Sequence, residues 1–269
     1  MLTFGLVCFD GAMDFPRLHE CLREDFRLLR AAVERSDAKA RVPSCPDWTV
    51  ADLAEHVAKV YMHKAECIRL GAFPDEWPRE IPTDPVAALD ENFAELENQF
   101  AAHSPGDHAA TWHEPDQTVG FWIRRMAQET VIHRIDAELG AGTAVTPVPD
   151  DLALDGIDEH LKLFLGYGSI AWADEIGELL SAPDERPILV HTDNGASWTV
   201  SAHPTGITAA DFEDGEAAGP ADFALTVSGS PEAVLRWLWN RSQDGPQASV
   251  CGDPLLLAQF QGITVALTQ

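Results

Sequence analysis

Residues 128–138, Gln-Glu-Thr-Val-Ile-His-Arg-Ile-Asp-Ala-Glu, read as the middle of a helix that sets a carboxylate, Glu129, four residues before a histidine, His133. At ~100° per residue, a helix over residues 119–139 puts both on one stripe with Trp122, Met126 and Ile132. That stripe is the buried one. Arg124, Arg134 and Glu138 fall on the opposite side, where a solvated helix keeps its charges. An inward carboxylate and imidazole need partners. Asp136 and Arg125 lie near the same stripe, so this helix alone allows two readings, an internal network of ions and hydrogen bonds or a set of metal ligands. A Glu and a His at this spacing are common by chance and do not choose between them.

Outward from this helix, the chain reads as helices first and strands later. Residues 15–37 form a first amphipathic helix. The run Cys45–Gly71, CPDWTVADLAEHVAKVYMHKAECIRLG, forms a second, with Thr49 as N-cap, Asp52 three residues on and Gly71 as its stop. Asp84 and Pro85 open a third helix that reaches about His103, and the helix of residues 119–139 is the fourth. Four long helices joined by loops suggest an up-and-down bundle. After Gly142 the segment TAVTPVPDD marks a boundary, followed by one more helix to about Glu178. The periodicity then changes. RPILVHTD, ASWTVSAH and ADFALTVSG read as strands, and SPEAVLRWLWNR and DPLLLAQF as short helices. The fold class is α+β in two domains, a helical bundle over residues 13–145 and a smaller α+β domain over 150–269.

Composition narrows the function. A chain of 269 residues with 45% hydrophobic residues, eight Trp and twelve Phe can bury a large core. Its formal charge of −26 is spread along the chain and repels phosphate backbones and anionic bilayers, which argues against nucleic acid and membrane partners. Five cysteines form no CxxC pair and are odd in number, which fits a reducing, cytoplasmic setting. Residues 1–12 lack the basic start and cleavage pattern of an export signal and read as a dispensable extension ahead of Met13. No run approaches the ~20 apolar residues of a membrane span.

The second helix offers what the fourth lacks. His56 lies at the edge of the stripe of Leu53, Val60 and Cys67, where it can face the bundle interior with Glu129 and His133. Two imidazoles and a carboxylate match the three-ligand pattern of catalytic zinc sites, which keep a coordination position open. The plain alternative for His56 is an edge-of-core histidine satisfied by a carboxylate. His63, seven residues and ~10 Å of helix rise from His56, is too far to share an ion. Cys45 and Cys67 lack the spacing of a zinc pair. Asp136 is a candidate acceptor for a ligand imidazole N–H.

The segments VPSCPDWTVADLAEHVAKV, PDQTVGFWIRRMAQETVIHRIDAE and LTVSGSPEAVLRWLWNR with VCGDPLLL resemble the mycothiol-dependent maleylpyruvate isomerase family of actinobacteria, from about Met13 onward. The resemblance implies a DinB-like four-helix bundle that binds a divalent metal, usually zinc, and a C-terminal α+β domain similar to sterol-carrier folds. It implies His56, Glu129 and His133 as the metal ligands. Where the family often carries a histidine, this chain has Gln128, off the ligand stripe. The resemblance also implies an arginine of the C-terminal domain near the active site. Arg241 is the candidate, with Arg236 as its rival, and a solvated helix-end arginine is the alternative.

The implied chemistry is thiol-dependent. Coordination by Zn²⁺ stabilises a thiolate, with mycothiol as the cosubstrate, and the thiolate adds to a small electrophile. In the isomerase, addition to a cis double bond, rotation and elimination give the trans product. Relatives that transfer the thiol share the same motifs, so isomerase and S-transferase remain open. Two other classes stay beside them: a non-catalytic ligand- or partner-binding protein on the same bundle, and a metal-dependent hydrolase using water at the open position. The expected partners are the electrophile and the thiol, with the chain a monomer or small homo-oligomer.

Overall fold

The computed structural model describes residues 13–77, 84–212 and 223–268. The chain divides into two compact units, one of residues Met13–Thr146 and one that runs from Pro147. The expectation about residues 1–12 lies outside the described residues.

The first unit holds four long helices, α1 (Phe15–Arg35), α2 (Val50–Leu70), α3 (Pro85–Ala102) and α4 (Val119–Gly140). Each opens on a side-chain cap: Asp14, Thr49, Asp84 and Thr118 accept from the first-turn N–H groups that the helix cannot satisfy itself. Thr49 and Asp52 form a reciprocal capping box. Gly71 ends α2 at φ 62°, a left-handed conformation that suits glycine. Helix α1 packs mainly on α4, α2 on α3, and α2 also lies against α4. The α2–α4 pair is antiparallel: His56 meets His133, Tyr61 bonds Thr130 and Lys64 meets Trp122, so one helix ascends as the other descends. A short hairpin, β1 (Arg41–Val42) with β2 (Cys45–Thr49), leads into α2. Alternation could not announce a hairpin this short with a proline, Pro46, inside it.

Helix α4 corrects one expectation. Arg134 and Glu138 do not face solvent, since they are 0% and 2% exposed. Arg134 donates to Asp25 and Glu138, each at 2.9 Å, and to the carbonyl of Thr146, while Thr146 donates through its N–H and hydroxyl to Glu138. Helix α1 and the chain after α4 cover the side that the sequence pattern assigned to water. Charge marked exposure wrongly here because each charge has a buried partner. Burial pushes the Asp25 carboxyl up, opposed by the adjacent Arg134 guanidinium.

A second ion cluster joins α1 to α3, where Glu97 contacts His19 and Arg23 at 2.5 Å each. Burial alone would raise Glu97, but these two bonds outweigh it and hold the carboxyl below its usual 4.5. The folded value is thus below the unfolded one.

The second unit begins with α5 (Asp150–Asp158) and continues as a π-helix over Glu159–Tyr167 and two single turns, α6 (Gly168–Ala171) and α7 (Ala173–Ile176). The one helix expected to about Glu178 is therefore broken in character. At Gly168 a Cβ would sit 2.6 Å from the Trp172 ring, so this turn closes only over glycine. A five-stranded sheet follows in the order β5 (Gly206–Asp211), β4 (Ser197–His203), β3 (Ile188–Thr192), β6 (Leu225–Gly229), β7 (Ser249–Gly252). β3 and β6 pair in parallel and the other pairs are antiparallel. β5 and β7, the edge strands, were not legible as strands, since neither shows an apolar alternation. Helix α8 (Pro231–Leu238) links β6 to β7, and α9 (Pro254–Leu267) is longer than the short helix expected.

Two outcomes test these networks. Arg134→Met strands Asp25 and Glu138 without a cation and should cost about 3–5 kcal/mol of unfolding free energy in urea; a loss below about 1 kcal/mol would show water reaching the network. The Glu97 contribution is present above 4.5 and is lost as pH falls through its lower folded value. Wild type and Glu97→Gln should therefore differ in melting midpoint near neutrality and converge in acid; a constant gap at all pH values would refute the ionic account.

Candidate metal centre

Helix spacing puts Glu129 and His133 one turn apart on α4, and α2 brings His56 to them across the seam. His133 Nε2 lies 3.2 Å and His56 Nε2 3.4 Å from Glu129 Oε1. The three ligand atoms all lie within 4.8 Å of one another. Ligands about 2.0–2.1 Å from a tetrahedral zinc ion stand roughly 3.3 Å apart, so two of the three edges have the length such an ion needs. Among the described residues this candidate group has three members, so a four-coordinate ion held here would keep one position for an outside group. Exposure shows where an outside group would enter: the His56 side chain is 37% exposed, against 17% for Glu129 and 10% for His133.

The surrounding side chains orient these three. Arg125 donates to Glu129 Oε2 at 2.5 Å, which leaves Oε1 to face the histidines. Asp136 stands 2.9 Å from His133 Nδ1 and also accepts from the Ser44 hydroxyl of the β1–β2 turn. With Nδ1–H bound to Asp136, His133 presents Nε2 to the centre. Trp48 of β2 covers both imidazoles, its ring 4.7 Å from that of His56 and 6.2 Å from that of His133. The capping box that starts α2 thus also seats this indole beside the site.

Electrostatics ties the group together. Burial by itself raises Glu129, but His133, His56 and Arg125 together outweigh it and hold the carboxyl well below the usual range. Burial by itself lowers His133, but Asp136 and Glu129 outweigh it and lift it to about 9. Without an ion, the pair is Glu129 carboxylate and His133 imidazolium, an arrangement that a dication entering at Nε2 would replace with release of a proton. The network reading and the ligand reading of the sequence describe the same residues.

The structure brings His56, Glu129 and His133 together and places Asp136 beside them. His63 stays apart, beside Lys64, Phe73 and Trp77. The two arginines of the second unit differ. Arg236 is 1% exposed and its guanidinium holds Glu232 and the carbonyls of Arg241, Gln243 and Asp244, so it shapes the loop after α8. Arg241 lies in that loop, with Nη1 donating to the carbonyl of Trp239 at 2.5 Å. Sequence reasoning missed Trp48 and Ser44. Their proximity to α4 depends on how the hairpin folds back, which no periodicity reports.

Two family models match the chain in tandem: the mycothiol maleylpyruvate isomerase N-terminal domain over residues 19–138 and the C-terminal domain of the same family over 151–259. The chain is similar in fold to the crystal structure of the mycothiol-dependent maleylpyruvate isomerase, with a TM-score of 0.61 at 14% identity over 88% of this chain and 93% of that one. A histidine-to-alanine variant of that enzyme matches with a TM-score of 0.59 and the same identity and coverage. No curated protein matches this chain. Matched over most of its length by both domain models in order, the chain belongs to the mycothiol maleylpyruvate isomerase family.

Proposed function

We propose that this chain is a metal- and thiol-dependent enzyme that converts a small electrophile by reversible thiol addition, as in mycothiol-dependent cis–trans isomerisation of maleylpyruvate, or by thiol transfer. The observation that carries the reading is the His56–Glu129–His133 group, two of whose three edges have the length of tetrahedral ligand pairs, with His56 its most exposed member. A bound divalent ion, with zinc favoured by two imidazoles and one carboxylate, supplies the positive charge that keeps a coordinated thiol ionised near neutral pH.

The protein's own groups do the rest. Asp136 fixes the His133 tautomer, and Arg125 keeps Glu129 ionised with one oxygen free for the centre. Trp48 makes one wall of the site apolar, which limits water beside the nucleophile. Arg241 is the proposed grip for a carboxylate of the electrophile, suited to that role by its bidentate donor geometry.

Elemental analysis decides the first part. The purified protein should carry about one divalent ion per chain; His56→Ala, Glu129→Ala and His133→Ala should each lose it, and His63→Ala should keep it. Full occupancy surviving in His56→Ala would sink the three-ligand centre. Asp136→Asn should bind the metal about 10- to 100-fold more weakly. Turnover of maleylpyruvate with mycothiol should vanish on chelation and return with zinc. Hydrolysis without thiol consumption would instead make this a metal hydrolase, and a metal-loaded chain inert to thiol and electrophile would make it a binding protein.

A further inference from the structure

The chain has four lysines, Lys39, Lys59, Lys64 and Lys162. Lys59 pairs with Glu55, Lys162 pairs with Asp158 and Asp211, and Lys39 is exposed. Lys64 is different. It is half-buried on α2, with Nζ 4.8 Å from the centre of the Trp122 ring and 3.1 Å from His63 Nδ1. It has no carboxylate within ion-pair reach among the described residues. In a chain with 44 acidic and 18 basic residues, a shielded ammonium without an anion is unexpected, since buried charges are paired.

The local bonds show what is missing. An ammonium carries three donors. One points to His63, whose burial lowers its pKa to about 4 and leaves it a neutral acceptor. One rests on the indole face of Trp122, a cation–π contact. Among the described residues no protein group takes the third. Phe73 and Trp77 pack against His63 and hold it in place.

Position supplies the second argument. Lys64 stands eight residues beyond His56, ~12 Å of helix rise, and Trp122 seven residues before Glu129, ~10 Å. Both pairs therefore sit on the same antiparallel α2–α4 seam. A helical side chain leans toward the N-terminus of its helix, which carries the Lys64 ammonium back toward His56. The charge of Glu129 acts on Lys64, opposing the effect of burial on the ammonium.

The geometry points to Lys64, seated on Trp122 and braced by His63, as the anchor for a carboxylate of the substrate that reacts at the His56–Glu129–His133 centre. It rests on the reading that an electrophile is processed there, and it assigns the residue that receives one of that electrophile's carboxylates. Such a subsite gives an acidic protein one local attraction for an anion.

The test uses the zinc-loaded full chain and maleate as probe, with neutral dimethyl maleate as control, followed by titration calorimetry and by the fluorescence of the Trp122 neighbourhood. Lys64→Met should weaken maleate binding about 10- to 100-fold, the range for loss of a charge-assisted hydrogen bond, and leave the ester unaffected. Lys64→Arg keeps the charge in a bulkier head and should bind maleate more tightly than Lys64→Met. Zinc content and melting midpoint should be unchanged in both, which separates loss of the subsite from loss of the metal centre or the fold. Wild-type affinity for maleate in Lys64→Met, or equal binding of maleate and its ester by the wild type, would overturn the assignment. Lys64-dependent maleate binding in a protein that shows no thiol-dependent turnover would uphold the subsite and overturn the thiol chemistry alone.

Discussion

A carboxylate taken out of water must be given a cation, and helix α4 carries three that are largely withdrawn from solvent: Glu129, Asp136 and Glu138. The bundle is arranged around meeting that demand. Glu138 is answered by Arg134, which also holds Asp25 of α1 and so fastens α1 to α4. Asp136 is answered by His133 and by the hydroxyl of Ser44, which ties the β1–β2 hairpin down. Glu129 is answered by Arg125 on its own helix and by an imidazole from each of α4 and α2. Each charge on α4 recruits a different neighbouring segment.

The same constraint explains why the structural and functional readings of α4 coincide. Without an ion, the Glu129–His133 pair is an internal salt bridge, and His56 completes it across the seam. A dication at that point would replace the proton on His133 and gain the charge of Glu129, so the group that stabilises the helix pair is also arranged as a candidate metal site. Arg125 and Asp136 would serve both states, since Arg125 holds Glu129 Oε2 and Asp136 holds His133 Nδ1. The second unit shows a related economy in Arg236, whose guanidinium gathers the carbonyls of the loop that carries Arg241.

Much of this was legible in the residues. The four bundle helices, their caps at Thr49 and Asp84 and the stop at Gly71 follow from local rules that act within a few residues. The inward direction of Glu129 and His133 follows from the helical period and from the apolar company of Trp122 and Met126. The strands β3, β4 and β6 showed their apolar runs, whereas β5 and β7 lie at the sheet edges, where mixed side chains look like loop.

What the sequence determined by itself was therefore the long bundle helices and the inner strands, the family to which they belong and the stripe of α4 on which a carboxylate and an imidazole face inward. Only the tertiary structure decided which cation each acid would meet. Arg134 and Glu138 were read as solvated because charge usually marks a wet surface, and that rule fails where a distant segment, here Asp25 and Thr146, closes over the pair. Trp48 over His56, and Lys64 over Trp122, depend likewise on how α2 lies against α4 and how the hairpin folds back. Periodicity reports the direction in which a side chain points along its own helix; the partner it finds there comes from the packing of residues far away in the chain.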